Sequence, residues 1–349
     1  MVEQSAINKL KQDLSAIDTG YGLMSLTWRA EPIPETQAHE TMKRVVELAQ
    51  SKGHKAFFNC GEFYGPNRIN LTYIRDFFVK NPELRKYVII SCKGGCDCET
   101  LTPKGKHDDV IKSVEASVAA IGGFIDIFEV ARLDLSLCTN GETYPYESFE
   151  ALAEMVDNGA IGAISLSEVT AEQIRGISKD WHKYLVSVEV ELSMFTKAIL
   201  TNGVVKANND LNLVTILYSP LGRGLLTGAV TSSKDIPAGD FRNLLKRFDD
   251  ESLRQNLTLL DFLRDEIIAK RPANNEITLP QVALGWDKYW NKTGEYPNTH
   301  FLPIPSGSSI KKLEENFDEA KTQITAEEFG KINDFLKNFK TVGDAYEMR

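Results

Sequence analysis

The chain has 349 residues, 42% of them hydrophobic and 26% charged, with a net charge of −9. That composition fits a soluble globular protein with a large core, and its acidity argues against nucleic acid or an anionic membrane as partner of the bulk surface. No run of roughly 18 apolar residues suggests a membrane span, the first 19 residues carry no apolar signal segment, and five scattered cysteines fit a reduced protein of the cytoplasm, with the nucleus as a second location.

From Tyr21 onward the chain repeats one order: a short apolar strand, a polar loop, an amphipathic helix. Strands are predicted at residues 21–26, 56–58, 87–91, 124–130, 161–166, 185–192, 213–217 and 301–304. Between them run helical faces. The first carries Ala38, Met42, Val45, Val46 and Ala49 and is closed by Gly53. Others cover 71–79, then Val110 to Ile121, then Phe149 to Val156. A capping box, Thr170 to Gln173, opens the next, and 198–208, 279–290 and 309–317 complete the series. Strands alternating with helices imply a parallel α/β sheet. Eight such units imply closure into a (β/α)8 TIM barrel, with a doubly wound sheet as the alternative.

One interval breaks the rhythm. Residues 229–277 hold no good strand; they carry a basic patch (Arg242, Lys246, Arg247) and a helical stretch at 253–268. An insertion after strand seven, lying over the barrel mouth, is expected there. A second capping box, Thr325 to Glu328, opens an extra C-terminal helix that runs to Phe339. The tail, 342–349, is expected near the same mouth. No Pro-, Gly- or Ser-rich linker divides the chain, so residues 1–349 are expected to form one domain.

In such barrels the chemistry sits at the C-terminal ends of the strands. Phe58-Asn59-Cys60-Gly61-Glu62-Phe63-Tyr64-Gly65 and Ile89-Ile90-Ser91-Cys92-Lys93-Gly94 each run from a strand into polar residues. They place a tyrosine and a lysine at one end of neighbouring strands. A phenol is too weak an acid at neutral pH, and an adjacent ammonium lowers its pKa, so the pair suits proton donation to a carbonyl.

Each residue also has a plainer reading. Tyr64 alone is a loop aromatic, Lys93 a snorkelling strand-end lysine, Asn59 a turn residue and Trp28 a packing or lid aromatic. Gly222-Arg223-Gly224-Leu225-Leu226-Thr227-Gly228 has the wrong spacing for a dinucleotide fingerprint and no first βαβ unit around it. Cys92, Cys96 and Cys98 lack a second ligand pair, although His107 is near, so no metal is expected. The five histidines fall in helices and loops away from the strand ends.

Four segments stand together in order: Asn59 to Gly65, Ser91-Cys92-Lys93, Tyr218-Ser219-Pro220-Leu221-Gly222-Arg223-Gly224, and Ile304 through Asn316. In that order the chain resembles the aldo-keto reductases over nearly its whole length. Within that family, Arg29-Ala30-Glu31-Pro32, Phe63-Tyr64-Gly65-Pro66, Phe128-Glu129-Val130-Ala131-Arg132 and Val342-Gly343-Asp344 look most like the fungal pyridoxal reductases.

The resemblance implies Tyr64 as general acid, Lys93 as the group that lowers its pKa, and Asn59 as the partner of Lys93. It implies NADPH, favoured over NADH. Tyr218 would stack on the nicotinamide, and Ser167, Glu168 and Glu189 would hydrogen-bond its carboxamide. Ser219, Pro220, Leu221, Gly222 and Gly224 would lie along the pyrophosphate. Ser306, Ser308 and Lys312 would take the 2′-phosphate, and Glu315 and Asn316 the adenine. Lys312 replaces the usual arginine, so a fork becomes a point charge. Trp28 and Ala131 would face the substrate.

Three further positions depart from the family. Asn59 stands for an aspartate, which should leave Lys93 less neutralised and lower the Tyr64 pKa further. Ala131 stands for a histidine and opens room for a bulky aromatic aldehyde such as pyridoxal. Glu189 stands for a glutamine. Glu129, Glu189 and Glu191 share one parity, so the interior should be acidic, with some of these groups protonated or paired with Lys93. The implied activity is reduction of a small aldehyde, pyridoxal to pyridoxine. An NADP(H)-binding regulatory subunit with slow turnover and a broad aldehyde reductase are the alternatives. The oligomeric state stays open.

Overall fold

The computed structural model describes residues 4–139 and 141–348. Residues 1–3, part of the stretch expected to lack a signal segment, and Arg349 of the tail lie outside the described residues. Eight parallel strands form one sheet in sequence order. They are β1 (Tyr21–Gly22), β2 (Ala56–Gly61), β3 (Val88–Gly94), β4 (Ile125–Val130), β5 (Ile161–Ser167), β6 (Leu185–Glu191), β7 (Val214–Tyr218) and β8 (Phe301–Pro303). Gly20 N donates to Pro303 O at 2.9 Å and Gly22 N to Pro305 O at 3.2 Å. These bonds join the last strand to the first and close the barrel. Glycine permits the approach: a Cβ on Gly22 would stand 2.7 Å from the Ile304 carbonyl oxygen.

Each strand is buried on both faces, as a barrel with an outer ring of helices requires. Phe58, Cys60, Ile90, Cys92, Phe128 and Val130 pack outward with the helices. Phe57, Ile89, Ile127, Ala163, Ile216 and Leu302 fill the lower interior. The period of two then carries each inward row upward into polar residues: Phe57 to Asn59, Ile89 to Ser91 and Lys93, Ile127 to Glu129, Ala163 to Ser165 and Ser167. In β6, Ile164 pairs with Leu185 but Ser165 with Ser187, so Val186 is an extra residue and Ser187, Glu189 and Glu191 are set by this bulge.

Several expectations need correction. The first strand is only two residues long, because Leu23 and Leu26 leave the sheet to pack in the core around a short helix, Met24–Thr27. The first described residues form a helix, Gln4–Ser15, whose Ile7 and Leu14 plug the barrel bottom. The helix expected at 198–208 is divided: Ala198–Leu200 is a 3-10 turn, and Gly203, with φ +90°, starts Val204–Asp210. The stretch 253–268 is broken into Asp250–Asn256, Thr258–Phe262 and a π-helical turn, Leu263–Ile268. Nor is there a basic patch, since each cation meets an anion: Arg242 pairs with Asp240, Lys246 with Glu347, and Arg247 with Glu191, which it shares with Arg223.

Candidate active site

Lys93 ends the inward row of β3 in a ring of polar side chains. Its Nζ donates to Asn59 Oδ1 at 2.7 Å, lies 2.7 Å from Glu189 Oε1 and 3.5 Å from Glu129 Oε1. Asn59 Nδ2 in turn donates to Glu189 Oε2 at 2.6 Å. Four strands, β2, β3, β4 and β6, thus converge on one ammonium. The carboxylate missing at Asn59 is supplied by Glu189 from across the barrel. Lys93 is therefore well neutralised, contrary to the expectation drawn from Asn59. Burial opposes its charge, but Glu189, Tyr64 and Glu129 outweigh that and hold its pKa well above the ordinary lysine value.

Tyr64 follows β2 in a tight turn, where Thr27 Oγ1 donates to its carbonyl at 2.6 Å. Lys93 Nζ lies 5.6 Å from the centroid of its ring. The phenol is buried, and burial raises its pKa above the ordinary tyrosine value; Lys93 pulls it down, while Glu189 and Glu129 push it back up. The expected lowering by Lys93 is real but outweighed in the free protein. Trp28, 41% exposed, stacks on Tyr64 with centroids 5.4 Å apart and 24° between planes, and meets Phe63 edge-on. Ala131 belongs to a small buried cluster with Tyr64, Phe63 and Cys96, and its methyl offers no hydrogen-bond donor there. The structure therefore brings Tyr64, Lys93, Asn59, Trp28 and Ala131 together.

The expected cofactor residues fall into groups. Ser167 and Glu189 are register partners at the ends of β5 and β6. The carboxylate of Glu189 is taken up by Lys93 and Asn59, so it sits as a partner of the lysine, not as a free acceptor for a ligand amide. Glu168, Ser219 and Arg223 all adopt left-handed backbone, with φ of 54°, 51° and 56°. Such strain in residues other than glycine collects at functional sites. Gly222 and Gly224 share that conformation, so the chain from Tyr218 through Pro220 and Leu221 to Gly224 turns sharply at the mouth. Successive amides in such a turn make an anion-binding concavity. Beyond β8, Ser306 Oγ donates to Gly22 O, and Asn316 Nδ2 to Ser306 O at 3.3 Å. Asn316 is thus buried in a structural bond. Ser308 and Glu315 are half-buried and Lys312 is exposed beside them. Hydroxyls with one ammonium suit a phosphate monoester.

Two groups are given no catalytic or binding role by the motifs, although Glu129 was expected as part of an acidic interior. Glu129 is fully buried, and neither of its carboxylate oxygens has a hydrogen-bond partner. Its parity on β4 was the available signal. The other is Tyr346, in the tail. Its hydroxyl lies 3.0 Å from that of Tyr218, and its ring centroid is 4.4 Å from the Arg223 guanidinium and 5.7 Å from that of Arg132. Arg223 also donates to Ala345 O, and Leu245 bridges to Met348, so the tail lies against the mouth as expected.

Three comparisons bear on this site. A model of the Aldo/keto reductase family matches residues 18–337. A Saccharomyces cerevisiae protein named "Putative pyridoxal reductase" is 65% identical over 343 residues, covering 98% of this chain and 99% of that protein. A Schizosaccharomyces pombe protein named "Aldo-keto reductase yakc [NADP(+)]" is 31% identical, covering 94% and 90%. Among solved structures, an aldo-keto reductase from Bacillus halodurans in its holo form superposes with a TM-score of 0.65 over 94% of each chain, at 19% identity, a likeness of fold.

Proposed function

The chain belongs to the aldo/keto reductase family, and from that premise we propose that it reduces an aldehyde to an alcohol with NADPH, pyridoxal to pyridoxine being the reaction the site fits best. The observation that carries the reading is the convergence of Lys93 on Tyr64 at the strand ends, under the stacked Trp28.

The chain's own groups do the following. Tyr64 holds a proton on its phenol oxygen at neutral pH and gives it to the carbonyl oxygen of the aldehyde. Lys93 stabilises the phenolate left behind. Trp28 offers an aromatic face beside Tyr64, and the small Ala131 leaves room for a substituted pyridine ring. Ser219 to Gly224 would hold a pyrophosphate, Tyr218 the nicotinamide, and Ser306, Ser308 and Lys312 a 2′-phosphate. When bound, the reduced nicotinamide supplies the hydride. The name of the fission-yeast relative, which includes NADP(+), favours the phosphorylated cofactor.

We take residues 1–349 as one barrel domain, with 229–277 covering its mouth, working in a reduced compartment such as the cytoplasm. A regulatory subunit would be motivated by the aspartate lost at Asn59 and the histidine lost at Ala131; it is disfavoured, because Glu189 supplies the carboxylate and Tyr64 and Lys93 are both retained. The test is oxidation of NADPH by the purified chain with pyridoxal and a panel of aldehydes, with the product identified. Pyridoxine formed faster than any other alcohol supports the reading. Tight NADPH binding without turnover on any aldehyde overturns it.

A further inference from the structure

Resting on the reductase reading above, we propose that Glu129 is kept as a neutral carboxylic acid beside the Lys93–Glu189 pair, and that it resupplies Tyr64 with a proton through Lys93 after each reduction. Glu129 has no place in the cofactor or substrate contacts. It projects from β4 into the interior, directly beside Lys93 in the strand register. The charged and titratable groups that face it are Lys93 from β3, Glu189 from β6 and Tyr64 after β2, with Ser165 as its hydroxyl neighbour on β5.

Charge counting sets the assignment. Two carboxyl groups face one ammonium. Glu189 has the stronger hold on the negative charge: it lies 2.7 Å from Lys93 Nζ and accepts an N–H from Asn59. Glu129 stands 3.5 Å from the same Nζ in a longer ion pair, and beyond that only the neighbouring Ser165 hydroxyl and the Glu189 carboxyl face its oxygens, neither in good hydrogen-bond geometry, although it is fully buried. An ionised carboxylate so poorly supplied with donors in such a place is strongly disfavoured, and a like charge nearby makes it worse. A proton on Glu129 removes both penalties. Burial first, and then the charge of Glu189, push its carboxyl well above the usual carboxylate range, with Lys93 opposing.

Only protons move in the resupply. The Tyr64 O–H bond breaks as the proton passes to the carbonyl oxygen of the substrate, leaving a phenolate. A Lys93 N–H proton then passes to the phenolate oxygen, and the Glu129 O–H proton passes to the Lys93 nitrogen. Glu129 is left as a carboxylate against a restored ammonium, and it recovers one proton from water before the next cycle.

The test has two arms. Infrared difference spectra at neutral pH, without cofactor, compare the wild type with Glu129→Gln and Glu189→Gln. A protonated-carboxyl band is expected in the wild type and in neither variant. It goes in the first because the group is gone. In the second, removal of the Glu189 charge lets Glu129 ionise against Lys93. Asp287, a second fully buried carboxyl without a partner, keeps its own band in all three. A wild-type spectrum with no band sensitive to either variant overturns the proposal. Should Glu129→Gln fail to fold, the Glu189→Gln spectrum decides.

The second arm is rapid mixing with NADPH and an aldehyde. In Glu129→Gln the first turnover should fall much less than steady-state kcat, which drops roughly tenfold or more relative to the wild type while its solvent deuterium isotope effect rises. Equal first and later turnovers in both proteins overturn the resupply step. A wild type inert to every aldehyde instead sinks the reductase reading and the resupply with it, while the infrared arm still rules on the proton at Glu129.

Discussion

Lys93 and Glu189 reach each other across the barrel, from β3 and β6, with Nζ and Oε1 2.7 Å apart. The two strands are not neighbours. Asn59 completes the triangle by accepting from the lysine and donating to the glutamate. The negative charge that steadies Lys93 has thus moved from the β2 position to the β6 position, and the amide has moved the other way.

That exchange predicts the effect of reversing half of it. Asn59→Asp replaces a donor with a second carboxylate beside Glu189. We expect a loss of roughly 1–3 kcal/mol at neutral pH in urea unfolding. The new carboxyl would be held above its unfolded pKa, so the loss should grow as pH rises above about 4 and shrink below it. Adding Glu189→Gln restores a single carboxylate of the Lys93–Glu189–Asn59 triangle and should recover most of the loss. Simple additivity of the two single effects would contradict the exchange.

Glu129 makes a separate prediction about stability and pH. Its folded pKa is raised, so the stability it contributes is fully present below the unfolded carboxylate value of about 4.3 and is lost as pH rises toward the folded value. Relative to the wild type, Glu129→Gln should therefore gain stability with rising pH, by up to about 1.4 kcal/mol per unit between about pH 4.3 and neutrality. Denaturant unfolding at three pH values in that window checks it. A constant difference would show that Glu129 is ionised in the folded protein.

Glu191 ties the tail to the barrel. It lies 3.1 Å from Arg223 Nη2 and 3.7 Å from Arg247 Nη1, and all three side chains are buried. Those arginines donate to Ala345 O and Gly343 O. Glu191→Gln leaves two buried guanidinium groups short of a counter-charge, which should cost roughly 3–5 kcal/mol. Hydrogen exchange over residues 342–348 should accelerate more than in β1 to β5. Uniform acceleration would place the effect elsewhere.

Ala131 lies in a buried cluster with Tyr64, Phe63 and Cys96. Ala131→His fills that space and adds a donor near the phenol. Pyridoxal kcat/KM should fall by roughly tenfold, with small aliphatic aldehydes less affected. Higher pyridoxal turnover with an unchanged substrate range would refute the view that Ala131 makes room for the ring.

Much of this was legible in the chain, for local reasons. Strands, helical faces and two of the capping boxes follow from short-range periodicity, and Tyr64 and Lys93 lie in strand-end strings that belong together. What was hidden depends on contacts distant in sequence. Asn59 and Glu189 are 130 residues apart, and no local pattern says that one completes the other. The helix Gln4–Ser15 has few apolar residues because it buries only one edge in the barrel bottom. Lys246 and Arg247 read as part of a patch with Arg242 because their partners, Glu347 and Glu191, come from distant segments, although Asp240 stands two residues from Arg242.

Tyr64, set against Lys93, is proposed above as the acid of an NADPH-dependent aldehyde reduction. The most direct measurement is the rate of NADPH oxidation with pyridoxal for the wild type and for Tyr64→Phe, with cofactor affinity measured in parallel. Wild-type turnover should fall by roughly 10²-fold or more in the variant while NADPH binding is retained. Equal turnover in the two proteins, with binding intact, would contradict it.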